Sequence, residues 1–282
     1  MKLLTYRVDG AVRFGALHED AIIDVSTRLP ETPSIRAVLE AGALERVAEV
    51  VAGVAGPDRR LSDVDLLPVV PDPGKIICAG VNYRAHRDET GRSEAQHPTL
   101  FTRFADTQIA AGADALRPTE SDRFDYEGEL AVVIGKRGSH IPEAEAMSFV
   151  AGYSCYNDFT VRDWQRHSSQ WIPGKNFPGT GAFGPCLITA DEIDDVASLK
   201  LETRVNGEIR QSASVADLIF SIPSLISYVS RFTPLSPGDV LVTGTPGGVG
   251  MFREPPTFLE PGDVVEVEIH GVGLLRNVVA SA

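Results

Sequence analysis

Two glutamates separated by one residue lead directly into an apolar run. Glu127 and Glu129 flank Gly128, and residues 130–135 are typical of a buried strand. In a strand, residues i and i+2 point to the same face, so the two carboxylates would lie side by side. Such carboxylates repel each other unless a proton or cation lies between them, and hard oxygen ligands suit Mg²⁺, Mn²⁺ or Ca²⁺. The spacing alone still favours the alternative, a solvated strand end.

A third acid, Asp158, ends an aromatic segment that we interpret as a buried strand. An acid at this position is as readily explained as the cap of the following helix. Arg162 and Gln165 are three residues apart, so they would share one face of that helix, one turn beyond Asp158. They are either groups that orient a substrate or an ordinary ion pair and a surface amide.

The elements that must position these side chains are mostly strands. Residues 1–26 predict small β-hairpins, and Thr32-Pro33 is expected to open a helix with Val38 and Val47 on its apolar stripe. Prolines at 68, 71 and 73 indicate an extended connector. We therefore predict a small N-terminal α+β domain over residues 1–70 and a catalytic domain over residues 71–282.

The second domain shows several further local patterns. Strands are expected at 75–80 and 265–269, a hairpin with an Asn-Gly turn at 201–209, and a helix from Pro223. Residues 82–97 are polar and predict a mobile loop or a short helix.

The composition excludes several classes of protein. The 282 residues are 43 % hydrophobic and 23 % charged, as in a soluble globular protein, and the net charge is −13. Such a surface repels phosphate backbones, so we expect no nucleic-acid partner, although an anionic small molecule remains compatible. No membrane span or signal peptide is indicated, which predicts a cytoplasmic protein. Cys78, Cys155 and Cys186 form no zinc-binding or disulfide pattern.

Several motifs, each weak alone, occur in a specific order. They are Gly80–His86, Asp125–Gly135, Tyr156–Gln165, Gly174-Lys175, Val205–Glu208, Pro237–Gly250 and Pro261–Asp263. Over roughly residues 75–279, this set resembles the fumarylacetoacetate hydrolase family. The resemblance implies an α+β, β-rich fold, in which strands form a mixed β-sandwich or β-roll, and a homodimer.

The resemblance also implies a metal site. It assigns Mg²⁺ or Mn²⁺, with Ca²⁺ as a third candidate, to Glu127, Glu129 and Asp158. Family members act on small anionic oxo acids and on 1,3-dicarbonyl compounds.

Three catalytic residues follow from the same resemblance. His86 and Glu89 match a pair on a mobile lid, where a spacing of three residues lets the side chains touch and the carboxylate makes the imidazole more basic. Lys175 matches a lysine that faces substrate and metal. A solvated histidine and a generic Gly-Lys turn are the alternatives.

Four residues are expected to contact the substrate. Arg162 and Gln165 would orient its oxygens, and Thr245 lies in a loop that lines the pocket in the family. Tyr83 falls near the pocket but could instead pack under the lid, and Thr245 could belong to a plain Gly/Pro turn.

The segment after Lys175 departs from the family. Many members read Ser-Phe-Asp-Thr-Phe there, whereas this chain has Asn176-Phe177-Pro178-Gly179-Thr180. This difference concerns the identity of the substrate and leaves the metal site intact.

The resemblance predicts a metal-dependent hydrolase. It would cleave a carbon–carbon bond in a 1,3-dicarbonyl or acylpyruvate-type oxo acid, in the catabolism of aromatic or sugar acids. Alternatives are an oxaloacetate-type decarboxylase, an isomerase or hydratase of a related 2-oxo acid, and a non-catalytic metal-binding homologue.

Overall fold

Strands form most of the regular structure, and the helices are short. A computed structural model describes residues 1–282. The helices are α1 (Ile35–Glu40), α2 (Leu44–Ala52), α3 (Arg84–Thr90), α4 (Arg162–Gln165), α5 (Ile172–Lys175) and α6 (Ile222–Phe232). The strands are β1 (Lys2–Val8), β2 (Ala11–His18), β3 (Ala21–Asp24), β4 (Arg59–Arg60), β5 (Asp65–Leu66), β6 (Ile76–Gly80), β7 (Thr99–Arg103), β8 (Gln108–Ile109), β9 (Asp114–Arg117), β10 (Phe124–Asp125), β11 (Gly128–Ile134), β12 (Val150–Asp158), β13 (Thr160–Val161), β14 (Gly181–Thr189), β15 (Lys200–Val205), β16 (Glu208–Ser214), β17 (Val240–Val242), β18 (Val264–Ile269) and β19 (Gly273–Ser281).

The strands form two principal sheets of mixed direction. The larger has 12 strands in the order β4-β3-β2-β1-β14-β12-β11-β17-β6-β7, with β5 added to β1 and β8 to β14. The smaller has five strands in the order β16-β15-β18-β19-β9, and β10 pairs with β13 separately. Most pairs are antiparallel, but β17 runs parallel to β6, β8 parallel to β14 and β9 parallel to β19. The β-rich, mixed α+β fold predicted from the sequence is confirmed.

Strand β11 lies at the centre of the larger sheet and is buried on both faces. Leu130 and Val132 enter a hydrophobic cluster shared with β15, β18 and β19, whereas Ala131 and Val133 enter a second cluster shared with α1 and α2. Because side chains alternate between faces, a strand covered on both sides is a continuous apolar run. This double burial fixes β11 and, with it, the acids at its first residues.

The smaller sheet is half-exposed, as its sequence predicts. In β18, Val265, Val267 and Ile269 are buried and the residues between them are partly exposed. The hairpin β15–β16 turns at Asn206-Gly207, where both residues have positive φ, 52° and 81°. This is the backbone that a tight two-residue hairpin requires.

The N-terminal region contains two helices where the sequence pattern predicted one. Ser34 caps α1 by accepting a hydrogen bond from the N–H of Ala37, and α2 begins only at Leu44. The break is at Gly42, whose φ of 63° leaves the helical region. Val47 nevertheless joins the same core cluster as α1.

The N-terminal strands are continuous with the larger sheet. Strand β1 pairs with β14 through Lys2 and Leu3, so the segment before residue 70 extends the same sheet as the strands that follow it. The division into domains at residue 70 stays a prediction. None of the helices has the length and apolar character needed to cross a membrane.

Candidate metal centre and active site

Three acids converge where β11 begins and β12 ends. The two strands pair antiparallel with Gly128 opposite Asn157, and the N–H of Asp158 donates to the carbonyl of Glu127 over 2.8 Å. Glu127, Glu129 and Asp158 are 5 %, 2 % and 0 % exposed. One oxygen from each carboxylate lies within 4.8 Å of the others. The shared face predicted from the spacing of the two glutamates is present, and it is buried.

Gly128 lets β11 approach the smaller sheet between the two glutamates. A Cβ atom at this position would lie 2.0 Å from the Oγ1 of Thr203 in β15. No side chain fits there without displacing β15, so the glycine belongs to the packing of the site.

Asp158 does not cap a helix. Helix α4 follows Val161 and has no side-chain cap. The carboxylate of Asp158 instead accepts hydrogen bonds from Arg103 and, over 2.5 Å, from the Nζ of Lys175. Both partners are buried. Of the two sequence interpretations, only the clustered acid agrees with the structure.

Glu127 lies between two cations. Its carboxylate accepts from the Nζ of Lys175 over 2.6 Å and from the Nη1 of Arg162 over 2.5 Å. Burial alone would raise the pKa of Glu127, but the charges of Lys175 and Arg162 lower it to about 2. Burial would likewise lower the pKa of Lys175, but Asp158 and Glu127 hold it above its usual value. Glu127 is therefore a carboxylate and Lys175 an ammonium at neutral pH.

Glu129 lacks such a partner. The carboxylate of Glu129 accepts one hydrogen bond, from the backbone N–H of Gly244 over 2.5 Å. Burial raises the pKa of Glu129 well above its ordinary range, and the charges of Asp158 and Glu127 raise it further. Glu129 is a buried acid that forms no ion pair, and the charge of Lys175 acts on it but leaves its pKa raised.

The charge balance of the cluster fits a bound cation. The cluster contains four buried carboxylates and only three buried cations, since Arg162 pairs with both Asp125 and Glu127. The carboxylates are those of Asp125, Glu127, Glu129 and Asp158, and the cations are Arg103, Arg162 and Lys175. A divalent cation beside Glu129 would relieve the repulsion that raises its pKa. An all-oxygen donor set is the chemistry that Mg²⁺ and Mn²⁺ prefer. The residues present therefore fit a divalent metal.

The predicted histidine–glutamate pair is formed. On α3, the Nδ1 of His86 lies 2.6 Å from Oε1 of Glu89, and Oε2 of Glu89 accepts from the N–H of Gly248 over 2.9 Å. His86 is 5 % exposed. The bond at Nδ1 leaves Nε2 as the free basic nitrogen. Of the two alternatives predicted for residues 82–97, a mobile loop or a short helix, the structure shows the short helix α3, which is docked on the loop at Gly248 and positions the imidazole.

One cavity, of about 100 Å³, brings most of the predicted site residues together. The predicted residues that line it are His86, Glu127, Glu129, Arg162, Gln165, Lys175 and Thr245. Asp158 and Glu89 do not line the cavity, but they contact Lys175 and His86, which do. The metal, base and lysine assignments remain predictions, but their side chains share one space.

Arg162 and Thr245, two of the predicted substrate contacts, differ in whether they keep a polar group free for a substrate. Arg162 uses Nε and Nη1 on Asp125 and Glu127, and its Nη2 has no partner. Thr245 donates to the carbonyl of Gly128 over 3.0 Å and accepts from Gln211 over 2.7 Å. Its hydroxyl therefore holds the loop.

Tyr83 lies outside the cavity lining. Its side chain is 1 % exposed and belongs to the main hydrophobic cluster. The substrate contact predicted for Tyr83 has no support from this placement, whereas packing under the lid, the alternative considered, agrees with it.

Sequence reasoning missed Arg103, Arg92, Arg166 and Trp171. Arg103 ends β7 on the same face as the buried Phe101, and a charge on the buried face of a strand is rare unless it is paired. Arg92, Arg166 and Trp171 line the cavity from loops or helix ends. Their sequence neighbours carry no periodic pattern that would indicate a shared site.

Comparisons with known proteins identify the family of the chain. The family model for the fumarylacetoacetate (FAA) hydrolase C-terminal domain matches residues 75–280. A rat protein named oxaloacetate tautomerase Fahd2a, mitochondrial, is 44 % identical over 217 residues, which is 77 % of this chain and 69 % of the rat protein.

Two solved structures cover the whole chain. Fumarylacetoacetate hydrolase from Exiguobacterium antarcticum has 35 % sequence identity and a TM-score of 0.85, and each chain is covered to 100 %. Maleylpyruvate hydrolase from Sphingobium sp. SYK-6, in complex with manganese(II) ion and pyruvate, has 26 % identity and a TM-score of 0.84, again with 100 % of both chains covered. The chain belongs to the fumarylacetoacetate hydrolase family.

Proposed function

We propose that this protein catalyses keto–enol proton transfer on a small 2-oxo dicarboxylate of the oxaloacetate type, with Mg²⁺ or Mn²⁺ held by Glu127, Glu129 and Asp158. The observation that carries the proposal is the meeting of this acid cluster, the His86–Glu89 pair and Lys175 at one cavity. A proton transfer next to a carbonyl needs a base, a proton donor and a means of stabilising negative charge on oxygen.

The relatives support this reaction class in preference to the hydrolysis expected from the sequence. The rat protein that matches at 44 % identity carries the name of a tautomerase, whereas the two named hydrolases are 35 % and 26 % identical. Oxaloacetate and maleylpyruvate are both 2-oxo dicarboxylates. The two names therefore agree on the substrate class and differ in the bond that changes.

The residues of the chain can perform the proton transfer. When bound, the metal supplies a Lewis acid that makes the protons beside a 2-oxo group more acidic. The free Nε2 of His86 takes a proton from the carbon next to the carbonyl, and Glu89 stabilises the imidazolium that forms. Lys175 donates a hydrogen bond to the oxygen on which negative charge develops, and the imidazolium of His86 returns its proton to that oxygen, which completes the enol and restores the base.

Arg162 and Gln165 orient the substrate. The Nη2 group of Arg162 is buried at the cavity and has no partner in the chain, so it is a donor ready for a substrate oxygen. Gln165 lies within 3.4 Å of the Nη1 of the same guanidinium. The pair holds a carboxylate end in a fixed direction relative to His86.

Carbon–carbon hydrolysis is the second candidate. The same Nε2 of His86 could deprotonate a water molecule, which would attack a carbonyl, while Lys175 stabilises the enolate that leaves. The observation that favours it is the fold shared over the full chain with the maleylpyruvate hydrolase. Decarboxylation of oxaloacetate would use the same enolate stabilisation without His86.

One substrate panel separates these reactions. The purified protein is incubated with Mn²⁺ or with EDTA, and with oxaloacetate or an acylpyruvate, and products are read by ultraviolet absorbance of the enol and by mass spectrometry. We expect metal-dependent interconversion of the oxaloacetate enol and ketone with no loss of carbon. Release of two acids from the acylpyruvate as the faster reaction would support the hydrolase, and release of carbon dioxide the decarboxylase. Absence of all three reactions would contradict an enzymatic role.

A further inference from the structure

The outer end of the cavity carries a cation that no acid neutralises. Arg92 follows α3 directly after Gly91, lines the cavity and makes no ion pair. Its guanidinium carbon lies 5.1 Å from the centre of the Trp171 ring. A guanidinium stacked on an indole uses its face, so the N–H groups at its edge remain available for a carboxylate.

Trp171 is held firmly in this position. It precedes α5, and its carbonyl accepts from the N–H of Gly174 over 3.0 Å. The ring occupies the place where a Cβ of Gly80 would lie, at 2.1 Å, and it packs against Phe101 at 5.4 Å between ring centres. The platform under Arg92 is therefore built from three separate parts of the chain.

The same short helix connects the outer cation to the metal centre. Trp171 and Lys175 are four residues apart, one helical turn, and both line the cavity. The Nζ of Lys175 lies 4.9 Å from the centre of the Phe101 ring, on which Trp171 also packs. One aromatic wall thus has Lys175 and the acids at its inner end and Arg92 at its outer end.

We propose that Arg92 is a specificity-determining residue that binds the distal carboxylate of a dicarboxylate substrate, and that Trp171 positions it. This inference rests on the proposed function and specifies how its substrate class is recognised. The 2-oxo acid end lies at the metal centre, and the second carboxylate forms a bidentate pair with the guanidinium edge. Arg166, also at the cavity and without an ion pair, has no aromatic ring that fixes it in this way.

The test compares two ligands that differ only at the distal end. 2-Oxoglutarate and 2-oxopentanoate have equal chain length, but the first ends in a carboxylate and the second in a methyl group. Their affinities for the Mn²⁺-loaded protein are measured by titration calorimetry. We expect a preference of about tenfold or more for the diacid, the usual size of one charge-assisted hydrogen bond.

Four variants locate that preference. In Arg92→Gln the diacid should bind about tenfold more weakly while the monoacid is unchanged, and Arg92→Lys should recover part of the difference because it keeps the charge without the planar edge. Trp171→Leu should weaken the diacid to a lesser degree. Arg87→Gln, on the helix that Arg92 follows but paired with Asp88 away from the cavity, is the matched control and should behave as wild type.

The outcomes distinguish this proposal from the reaction proposed above. A diacid preference that survives Arg92→Gln, or one that is lost in Arg166→Gln instead, would overturn the role of Arg92. Oxaloacetate enolisation is measured on the same preparations, with a raised KM and a less affected kcat expected for Arg92→Gln. If wild type shows an Arg92-dependent diacid preference but no enolisation, the recognition stands and the proposed reaction fails.

Discussion

Asp24 and Glu129 are two acids that are buried to the same degree and differ in electrostatics. In the N-terminal strands, Asp24 is 2 % exposed and accepts from Arg13, Ser26 and the N–H of Thr27. At the junction of β11 and β12, Glu129 is equally buried but accepts only from one backbone N–H. The first acid is fully compensated and the second is not.

The pKa directions express this difference. Burial would raise the pKa of Asp24, but the hydrogen bonds from Arg13 and Ser26 hold it below its ordinary value of 3.8. Burial and two neighbouring carboxylates raise that of Glu129. A compensated buried acid stabilises the fold, whereas an uncompensated one next to a cavity indicates where a cation is to bind.

The largest expected effect is the loss of metal binding in Glu129→Gln. Replacing one of three oxygen ligands by an amide should weaken Mn²⁺ binding by about 100-fold or more, since each ligand and its supporting shell matter at this scale. Without metal the variant should be at least as stable as wild type, because it removes a buried acid that lacks a partner. Calorimetric titration with Mn²⁺ and thermal unfolding in EDTA measure the two quantities.

Glu127→Gln is the matched control for that variant. It also removes a metal ligand, but it leaves Lys175 and Arg162 with one carboxylate fewer. The metal-free protein should therefore lose stability in this variant alone. Equal stability of both variants in EDTA would contradict the distinction between compensated and uncompensated acids.

Asp24→Asn should produce the reverse pattern. The variant removes a buried carboxylate that accepts a hydrogen bond from Arg13, whose partly exposed side chain can be hydrated instead. We therefore expect a loss of about 1.5 kcal/mol in the free energy of unfolding and unchanged Mn²⁺ affinity. The folded-state pKa of Asp24 is lowered, so its contribution is present above pH 3.8 and is lost as the pH falls through the folded-state pKa. Urea unfolding at several pH values should show the variant approaching wild type only in acid.

Arg103→Met should have an effect of intermediate size on Mn²⁺ affinity. Arg103 is buried, and its guanidinium holds Asp158 and the hydroxyl of Thr180. Residues that orient a metal ligand typically change metal affinity by about 10- to 100-fold when removed. Arg103→Lys keeps the charge and should recover part of that affinity. A normal Mn²⁺ affinity in Arg103→Met would show that Lys175 alone positions Asp158.

How much of this site the sequence could predict depends on where each residue lies. The shared face of Glu127 and Glu129 was predictable because these residues lie at the start of a strand with an unambiguous apolar run, whereas their role as metal ligands followed only from the resemblance to the family. The pairing of Asp158 with Arg103 was not predictable, because it joins β12 to β7 across 55 positions of sequence. The split between α1 and α2 was missed since the apolar stripe continues through Gly42, and only the positive φ at that glycine reveals the break.

The smallest expected effect concerns a further cluster of acids. Glu202, Glu268 and His270 also place ligand atoms within 4.8 Å of one another, but they lie at the surface and Arg204 pairs with both glutamates. Exposed ion pairs contribute little, so Glu268→Gln should change the free energy of unfolding by less than about 1 kcal/mol. The titration should still give one Mn²⁺ per chain with unchanged affinity. If wild type bound a second, weaker Mn²⁺ that this variant lost, proximity of acids would suffice for metal binding. The lack of an ion pair at Glu129 would then not be what selects the metal site.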